Sequence, residues 1–430
     1  MSVAYRPMKG GAGARGHGWH QVCFGWLNLV LTAPSVYLWL GLPLIMRQHG
    51  WSGVELGLFQ LAALPAAFKF LMAAPIDRQT SALPGVDILR RYRRWACMLC
   101  LLFAAVLLLI GRRPLLASPH ELFVLAFGAA LLATWADVPV NALAIRLLPP
   151  HQRQRAGGIR SAALSLGAIV GGGLMLLAQQ RWGWRAPFWI MAASLLPGLL
   201  ALMSLRLRPA PPLASSAAGP TTAVAAADWR GYFTQRGGGR WSVLLLLCFP
   251  VIGATWFYLK PLMLDHGFAP PQVAAIAGIG GGVVAAAGGM LAPLFSRRFG
   301  LARALPGAAG LCLLALLSLL GAVLTGGAPW IFVAAAGLVA LAMGCTAAVA
   351  FALMMYFARS SRSAADYGVQ ASLFSGGRIA VPLLAGIALD RFGYGGMLGM
   401  LLAAMLLILW LTVKARTVIG ERADKYPTCS

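Results

Sequence analysis

Charged residues are scarce in this chain of 430 residues. Only 11% are Asp, Glu, Lys or Arg, and just 11 are acidic, whereas 60% are hydrophobic. Soluble domains carry about a quarter of charged residues, and a soluble fold of this length would leave much of this apolar surface in water. A bilayer solves that problem because it acts as the solvent for an apolar outer face. The composition therefore predicts an integral membrane protein.

Groupings of metal-binding or catalytic side chains are also missing. The six His form no HExxH motif, and the C-x-x-C pair of Cys97 and Cys100 lies at the start of an apolar span without a second pair downstream. No nucleophile–base set is visible. We therefore expect no enzyme activity, no metal site and no cofactor. The net charge of +24 comes from basic residues between apolar spans, so we expect no nucleic-acid partner.

Apolar runs of about 20 residues, each long enough to cross a bilayer as a helix, occur twelve times. The expected spans are 21–45, 53–75, 95–111, 121–147, 158–179, 186–206, 241–263, 271–295, 302–325, 329–357, 366–389 and 394–413. The predicted domains are a six-helix bundle over 21–206 and a second one over 241–413. A basic tail (1–20), a Pro- and Ala-rich linker (207–240) and a second tail (414–430) complete the chain, and all three are expected in the cytoplasm.

The distribution of Lys and Arg predicts the orientation. With the N-terminus inside, the cytoplasmic tails and loops hold 26 of the 35 basic residues, the opposite loops hold six, and the other three lie within spans. Cytoplasmic loops carry such an excess of basic residues. Both termini are therefore expected in the cytoplasm, with an even number of helices. We expect a multi-pass protein in contact with lipid that acts as a monomer.

Short motifs of the first half recur in the second half. His-Gly-Trp at 49–51 corresponds to His-Gly-Phe at 266–268, and Arg-Trp-Gly-Trp at 181–184 corresponds to Arg-Phe-Gly-Tyr at 391–394. Because equivalent helices cross the membrane in the same direction, this is a parallel repeat, the arrangement of the two halves of a major facilitator transporter. The expected fold class is an all-α membrane protein with twelve transmembrane helices in two such bundles.

Two opposite charges are expected at matching depths in two spans. Lys69 lies 16 residues after Gly53, and Asp137 lies 16 residues after Glu121, so each is about 24 Å along its helix at ~1.5 Å per residue. The two spans run in the same direction, and ionisable groups in a membrane are functional candidates. The pair is interpreted either as a charge relay for proton coupling or as a neutralised pair that holds two helices together.

Arg378 is a third charge within a span. It lies 12 residues after Asp366, and its counterpart in the first half is Ala168. We expect its side chain to face the central cavity and to attract an anionic substrate. The alternative is an ion pair near the cytoplasmic gate.

Other polar and aromatic residues are candidates for the gate and the cavity wall. Asp77 and Arg78 end the second span, where the carboxylate of Asp77 is suited to cap a neighbouring helix N-terminus as part of a gate. Aromatic residues of the first and seventh spans either stack on a substrate or serve as packing and interfacial residues. The candidates for the aromatic lining are Trp26, Tyr37, Trp256 and Tyr258.

Several of these residues fall in motifs of known transporters. Phe-Lys-Phe-Leu at 68–71 with Ala-Pro-Ile-Asp-Arg at 74–78 resembles the second-helix signature of the muropeptide-permease-like branch of the major facilitators. Within that branch, Asp-Tyr-Gly-Val-Gln-Ala-Ser-Leu-Phe at 366–374 with Gly-Arg-Ile at 377–379 resembles siderophore permeases of the rhizobactin and pyochelin type.

The resemblance implies uptake of a ferric siderophore across a bacterial inner membrane. It places the substrate path or the coupling site at Lys69, Asp137, Gln370 and Arg378. Asn141, which stands where this branch tends to carry a second acid, is a further candidate for that path, and Tyr367 is a further gate candidate. We therefore expect a secondary importer of a ferric siderophore or similar anionic chelate, working by alternating access with coupling to protons. The alternatives are a permease for muropeptides or sugar-peptides and a proton-antiport pump that exports drugs or metabolites.

Overall fold

The computed structural model describes residues 12–51, 59, 61–80, 85–112, 114, 116, 118–149, 152–205, 207, 229–359 and 362–424. Six membrane-crossing helices, α1–α6, come from the first half. Their bounds are Ala12–Gln48 for α1 with a π-helical turn at Tyr37–Gly41, Leu61–Thr80 for α2 with a 3-10 segment up to Phe68, Gly85–Arg112 for α3, Pro119–Leu147 for α4, Arg153–Trp182 for α5 with a π-helical turn at Val170–Leu174, and Arg185–Ser204 for α6.

Six further helices, α7–α12, form the second half. Their bounds are Gly238–Asp265 for α7, Pro270–Phe299 for α8 with a π-helical segment at Ala274–Gly280, Leu301–Thr325 for α9, Pro329–Phe357 for α10, and Ser363–Asp424 for α11 and α12 together, divided at Gly393. A short helix, Trp229–Thr234, precedes α7. The described residues form no strand, which confirms the expected all-α class.

The division at Gly393 accounts for the twelfth crossing. Ten described helices are long and apolar enough to cross a membrane, and one of them covers 58 residues, Ser363–Gly420. At ~1.5 Å per residue that length is about 87 Å, far more than one bilayer crossing needs. Gly393 interrupts it with non-helical angles (φ 65°, ψ −173°), and α2 supplies a shorter apolar helix. The structure thus has two crossings within 363–420.

Several helix boundaries differ from those expected. α1 begins at Ala12, inside the expected tail, and α12 continues to Asp424, past the expected end of the second bundle. α3 begins at Gly85 and not at residue 95, because its first turns are polar and the apolar run that defined the expected span starts only after them. Residues 53–58 and 60 of the expected second span and 208–228 of the expected linker lie outside the described residues.

The two halves repeat at the level of single turns. α4 and α10 have 29 residues each and begin 210 residues apart, at Pro119 and Pro329. Positive-φ glycines recur at the same offset, Gly183 (φ 78°) and Gly393 (φ 65°), where only glycine turns the chain without strain. These equivalences agree with the parallel repeat expected from the sequence.

The loop between α6 and α7 defines what we call the linker end of the bundle. The helices α2, α4 and α6 end there, and α3, α5 and α7 begin there. The outer surface carries large exposed apolar side chains, among them Leu200, Leu324 and Trp330. An apolar surface of this extent requires lipid around it, so the protein is a multi-pass membrane protein.

Candidate functional site

Asp137 of α4 is the centre of a buried polar cluster. Its carboxylate accepts hydrogen bonds from Lys69 Nζ of α2 (2.7 Å), the Tyr367 hydroxyl of α11 (2.6 Å) and Asn141 Nδ2 one turn further along α4 (2.8 Å). The depth argument from the sequence therefore placed Lys69 and Asp137 correctly beside each other. We call Lys69, Asp137, Asn141, Arg160 and Tyr367 the Asp137 cluster.

Arg160 of α5 completes the cluster and was missed in the sequence. Its guanidinium donates to Asn141 Oδ1 (2.5 Å) and to the Tyr367 hydroxyl, lies 3.5 Å from Asp137 Oδ1, and covers the ring of Phe351 at 4.5 Å. The sequence treated it as one of the basic residues in the loop before the fifth span. In the structure α5 begins earlier, at Arg153, so two helical turns precede Arg160 and carry it inward.

One signal in the sequence could have identified Arg160. Its counterpart at the 210-residue offset is Gln370, so both halves place a polar side chain at the same depth of equivalent helices. Polar residues at equivalent buried depths are functional candidates in a membrane. The sequence argument considered Gln370 and not its partner.

The Asp137 cluster contains more positive than negative charge. Lys69 and Arg160 both contact the one carboxylate, and the side chains of Lys69, Asp137 and Arg160 are only 14%, 12% and 9% exposed. Removing a charge from water costs several kcal/mol unless a partner compensates. The cluster is therefore stable only while Asp137 is ionised, and it keeps one positive charge in excess.

The Asp137 cluster joins the two halves of the protein. Tyr367 belongs to the second half and the other members belong to the first. Nearby, Ser161 Oγ donates to Gly344 O across the interface at 2.8 Å, and an added Cβ on Gly368 would lie 2.8 Å from Ala73 Cβ. The halves are therefore in close contact from the linker end to about the middle of the helices.

The opposite end of the bundle has a different arrangement. The π-helical segments at Tyr37–Gly41 and Val170–Leu174 pack on each other within the first half, and the one at Ala274–Gly280 packs within the second half. Among the described residues, the main contacts of these segments stay within their own half. Among the described residues, the contacts between the halves thus lie mainly from the linker end to the middle of the helices.

Arg378 lies at mid-depth in α11, as expected from the sequence. It is 15 residues from Ser363, about 22 Å at ~1.5 Å per residue. Its guanidinium is 6.0 Å from the ring centres of Phe249 and Phe374, and its side chain is exposed. Among the described residues, no acidic side chain forms an ion pair with it. Arg378 is therefore a cation at mid-depth of the helix bundle that has no acidic partner within the described part of the chain.

Gln370 is placed away from the Asp137 cluster. It is fully buried in the second half, where it accepts from Trp241 Nε1 (2.7 Å) and donates to Met354 O (3.0 Å) and Asp366 O (3.2 Å). These bonds join α7, α10 and α11. In this structure its side chain is therefore engaged in helix packing, and the expected substrate contact stays a prediction.

The two aromatic candidates of the first helix contact neighbouring residues of the first half. Tyr37 is fully buried, donates to Gln179 and packs edge-on against Phe188. Trp26 donates to Ser194 O of α6 at 3.0 Å, which places it in a contact between two helices of one half. Both side chains thus contact helices of the first half in this structure, and their role in lining the cavity stays a prediction.

The aromatic candidates of α7 contact neighbouring helices of the second half. An added Cβ on Gly281 would lie 2.0 Å from the Trp256 ring, so this ring packs tightly on α8. The Tyr258 hydroxyl donates to Pro382 O of α11 at 3.0 Å. Both side chains are half-buried.

The remaining gate candidates, Asp77 and Arg78, have side chains outside the described residues. Within the described part of the chain, no group of three or more His, Cys, Asp or Glu side chains is arranged to hold a metal ion.

Comparison with known proteins identifies the family of this chain. The family model described as Major Facilitator Superfamily matches residues 25–382. Among curated proteins, the anhydromuropeptide permease of Escherichia coli (strain K12) is 26% identical over 244 residues, which are 53% of this chain and 48% of that relative. The match thus spans about half the length of the curated relatives.

Solved structures of transporters share the fold. A bacterial homologue of the iron transporter ferroportin, in an outward-facing state, aligns with a TM-score of 0.67 and 14% identity over 92% of this chain and 98% of that one. The E. coli fucose:proton symporter aligns with a TM-score of 0.66 and 17% identity over the same shares. At these identities the likeness establishes the fold alone.

Proposed function

Because the chain belongs to the Major Facilitator Superfamily, and is therefore a secondary transporter and not an enzyme, we propose that it imports an anionic solute across the bacterial inner membrane by alternating access. In this proposal the linker end faces the cytoplasm, as the distribution of basic residues predicts. The structure would then correspond to the outward-facing state, with the cytoplasmic side closed.

The environment of Arg378 is the observation that supports an anionic substrate. A cation at the middle of a membrane is costly unless it faces water or a counter-ion. Arg378 is exposed, and among the described residues no carboxylate pairs with it. The faces of Phe249 and Phe374 beside it restrict its orientation and leave the guanidinium free to pair with a carboxylate or a similar group of the solute.

The Asp137 cluster is proposed as the gate and the coupling site. Ionised Asp137 holds Lys69 and Arg160 near Tyr367 of the other half. When Asp137 takes up a proton, two buried cations remain without a counter-ion and repel each other. Protonation therefore weakens the contact between the halves at the linker end, which couples proton movement to opening on that side.

Two substrate classes fit an anionic solute. The relative named anhydromuropeptide permease supports a sugar-peptide fragment of the cell wall, whose peptide carries carboxylates. The motif at 366–374 and 377–379, which resembles siderophore permeases, supports an anionic ferric chelate. The first class has the support of an aligned relative over 244 residues, and we place it ahead of the second.

The test is uptake by the purified full chain in proteoliposomes with an imposed inward proton gradient. Radiolabelled anhydromuropeptide and a radiolabelled ferric siderophore are offered separately and then in competition. We expect saturable uptake of one of them, lost in Arg378→Ala and unchanged in Arg303→Ala, which removes an exposed arginine at the start of α9.

Two results would contradict the proposal. Uptake that persists in Arg378→Ala with an unchanged KM removes the role of Arg378 in binding. Failure of both anions, together with proton-driven movement of a cationic drug in the opposite direction, would replace import by efflux.

A further inference from the structure

Arg153, the first residue of α5, links two helix ends in opposite halves. Its side chain is buried, with Nη1 donating to Met355 O of α10 (3.0 Å) and Nη2 donating to Ile145 O of α4 (3.3 Å). The guanidinium also lies over the ring of Tyr356, 5.5 Å from its centre. The sequence argument counted Arg153 only among the basic loop residues.

The two acceptor carbonyls are equivalent positions of the repeat. Ile145 and Met355 lie 210 residues apart, each two residues before the end of its helix, at Leu147 and Phe357. Carbonyls in the last turn of a helix have no amide partner within the helix and carry the negative end of its dipole. One buried cation therefore satisfies the same unpaired group at the ends of both helices.

This placement explains a break in the repeat. The counterpart of Arg153 at the 210-residue offset is Ser363, whose hydroxyl accepts a bond from Arg146 Nε at 2.9 Å. A side chain that contacts both members of a symmetric pair of carbonyls occupies a site common to the two halves. Two guanidinium groups would overlap and repel there, so only one half supplies an arginine.

We propose that Arg153 is a latch that sets the conformational equilibrium between the closed and open states of the linker end. When the halves separate there, the bond to Ile145 O stays within the first half and the bond to Met355 O breaks. Only an interaction that differs between two states shifts their equilibrium, and the Met355 bond is such an interaction. Arg153 is a positioning residue, because it acts through the ends of α4 and α10.

The effect of losing this latch follows from the bond that is lost. A hydrogen bond from a charged donor to a buried carbonyl favours the closed state by a factor on the order of ten to one hundred. The variant Arg153→Gln should therefore raise the ratio of open to closed molecules by that factor. Arg153→Lys keeps a cation but not the two-armed donor geometry, and its shift should be smaller.

The experiment measures the distance between the halves without any solute. Spin labels are attached by bio-orthogonal chemistry at Met203 and Arg303, exposed positions at the linker end in opposite halves, in the full chain reconstituted in nanodiscs. Pulsed electron–electron double resonance then gives the populations of short and long distances between the two labels. Arg155→Gln is the matched control, because Arg155 is exposed and lies two residues further along the same helix.

The outcomes separate this inference from the proposed function. We expect the long-distance population to rise in Arg153→Gln, to rise less in Arg153→Lys, and to stay native in Arg155→Gln. A native distribution in folded Arg153→Gln, or an equal shift in Arg155→Gln, overturns the latch. If Arg153→Gln does not fold, a native distribution in Arg153→Lys overturns it as well. Since no solute is present, these results do not depend on the transported substrate.

Discussion

The excess positive charge of the Asp137 cluster predicts that removing the charge of Asp137 and removing the charge of Lys69 differ in their effect on stability. Asp137→Asn leaves Lys69 and Arg160 buried without a counter-ion, which should lower the free energy of unfolding by about 3–5 kcal/mol. Lys69→Met removes one charge-assisted bond (2.7 Å). Arg160 and Tyr367 still contact the carboxylate of Asp137, and the cluster becomes electrically neutral. Because the lost bond and the relieved repulsion oppose each other, its cost should be about 1 kcal/mol or less.

The measurement is the free energy of unfolding of the purified full chain, obtained by denaturant titration in mixed micelles. The double variant Lys69→Met with Asp137→Asn should cost less than the sum of the single variants, by about 0.5–3 kcal/mol. The control is Asp87→Asn, which removes the exposed pair with Arg90 (3.1 Å) and should cost at most about 1 kcal/mol. If Lys69→Met destabilises the protein as much as Asp137→Asn, the charge count of the cluster is wrong.

Two further predictions concern glycines. In Gly157→Ala the new Cβ would lie 2.4 Å from Ala348 O of α10, so the variant should raise the open population in the distance measurement. The control Gly173→Ala, with nothing within 4 Å of the new Cβ, should leave that population unchanged. Equal effects of the two variants would contradict the close approach of α5 and α10. Gly50 and Gly267 have φ values of 86° and 87°, so alanine at either should lower the unfolding free energy by about 1 kcal/mol, and clearly unequal costs would contradict the equivalence of the two helix ends.

The sequence predicted the fold well because membrane helices obey simple physical rules. Span length follows from bilayer thickness, and the depth of a residue follows from the helical rise, which brought Lys69 and Asp137 together correctly. The parallel repeat was readable because motifs such as His-Gly-Trp at 49–51 and His-Gly-Phe at 266–268 end equivalent helices. In both, the His ring nitrogen lies 2.8 Å from a carbonyl one turn earlier.

The direction in which a side chain points was not readable in the same way. Tyr37 and Gln370 lie at plausible depths, yet both are fully buried within one half. Rotation about the helix axis depends on the packing of neighbouring helices, which a single sequence does not contain. Because the apolar run begins only after the first turns of α5, Arg153 and Arg160 were assigned to a loop.

The π-helical turns have a consequence for how the opposite end closes. One interrupts α1, one interrupts α5 where it contacts α1, and one interrupts α8, and the main contacts of all three among the described residues stay within their own half. A π turn holds an extra residue, and its conversion to α geometry would rotate the rest of the helix by about 100°. In the proposed alternating access, closure at that end would therefore have a means besides the tilting of two rigid bundles, since three helix segments would turn new side chains towards the solute while the linker-end contacts stay fixed.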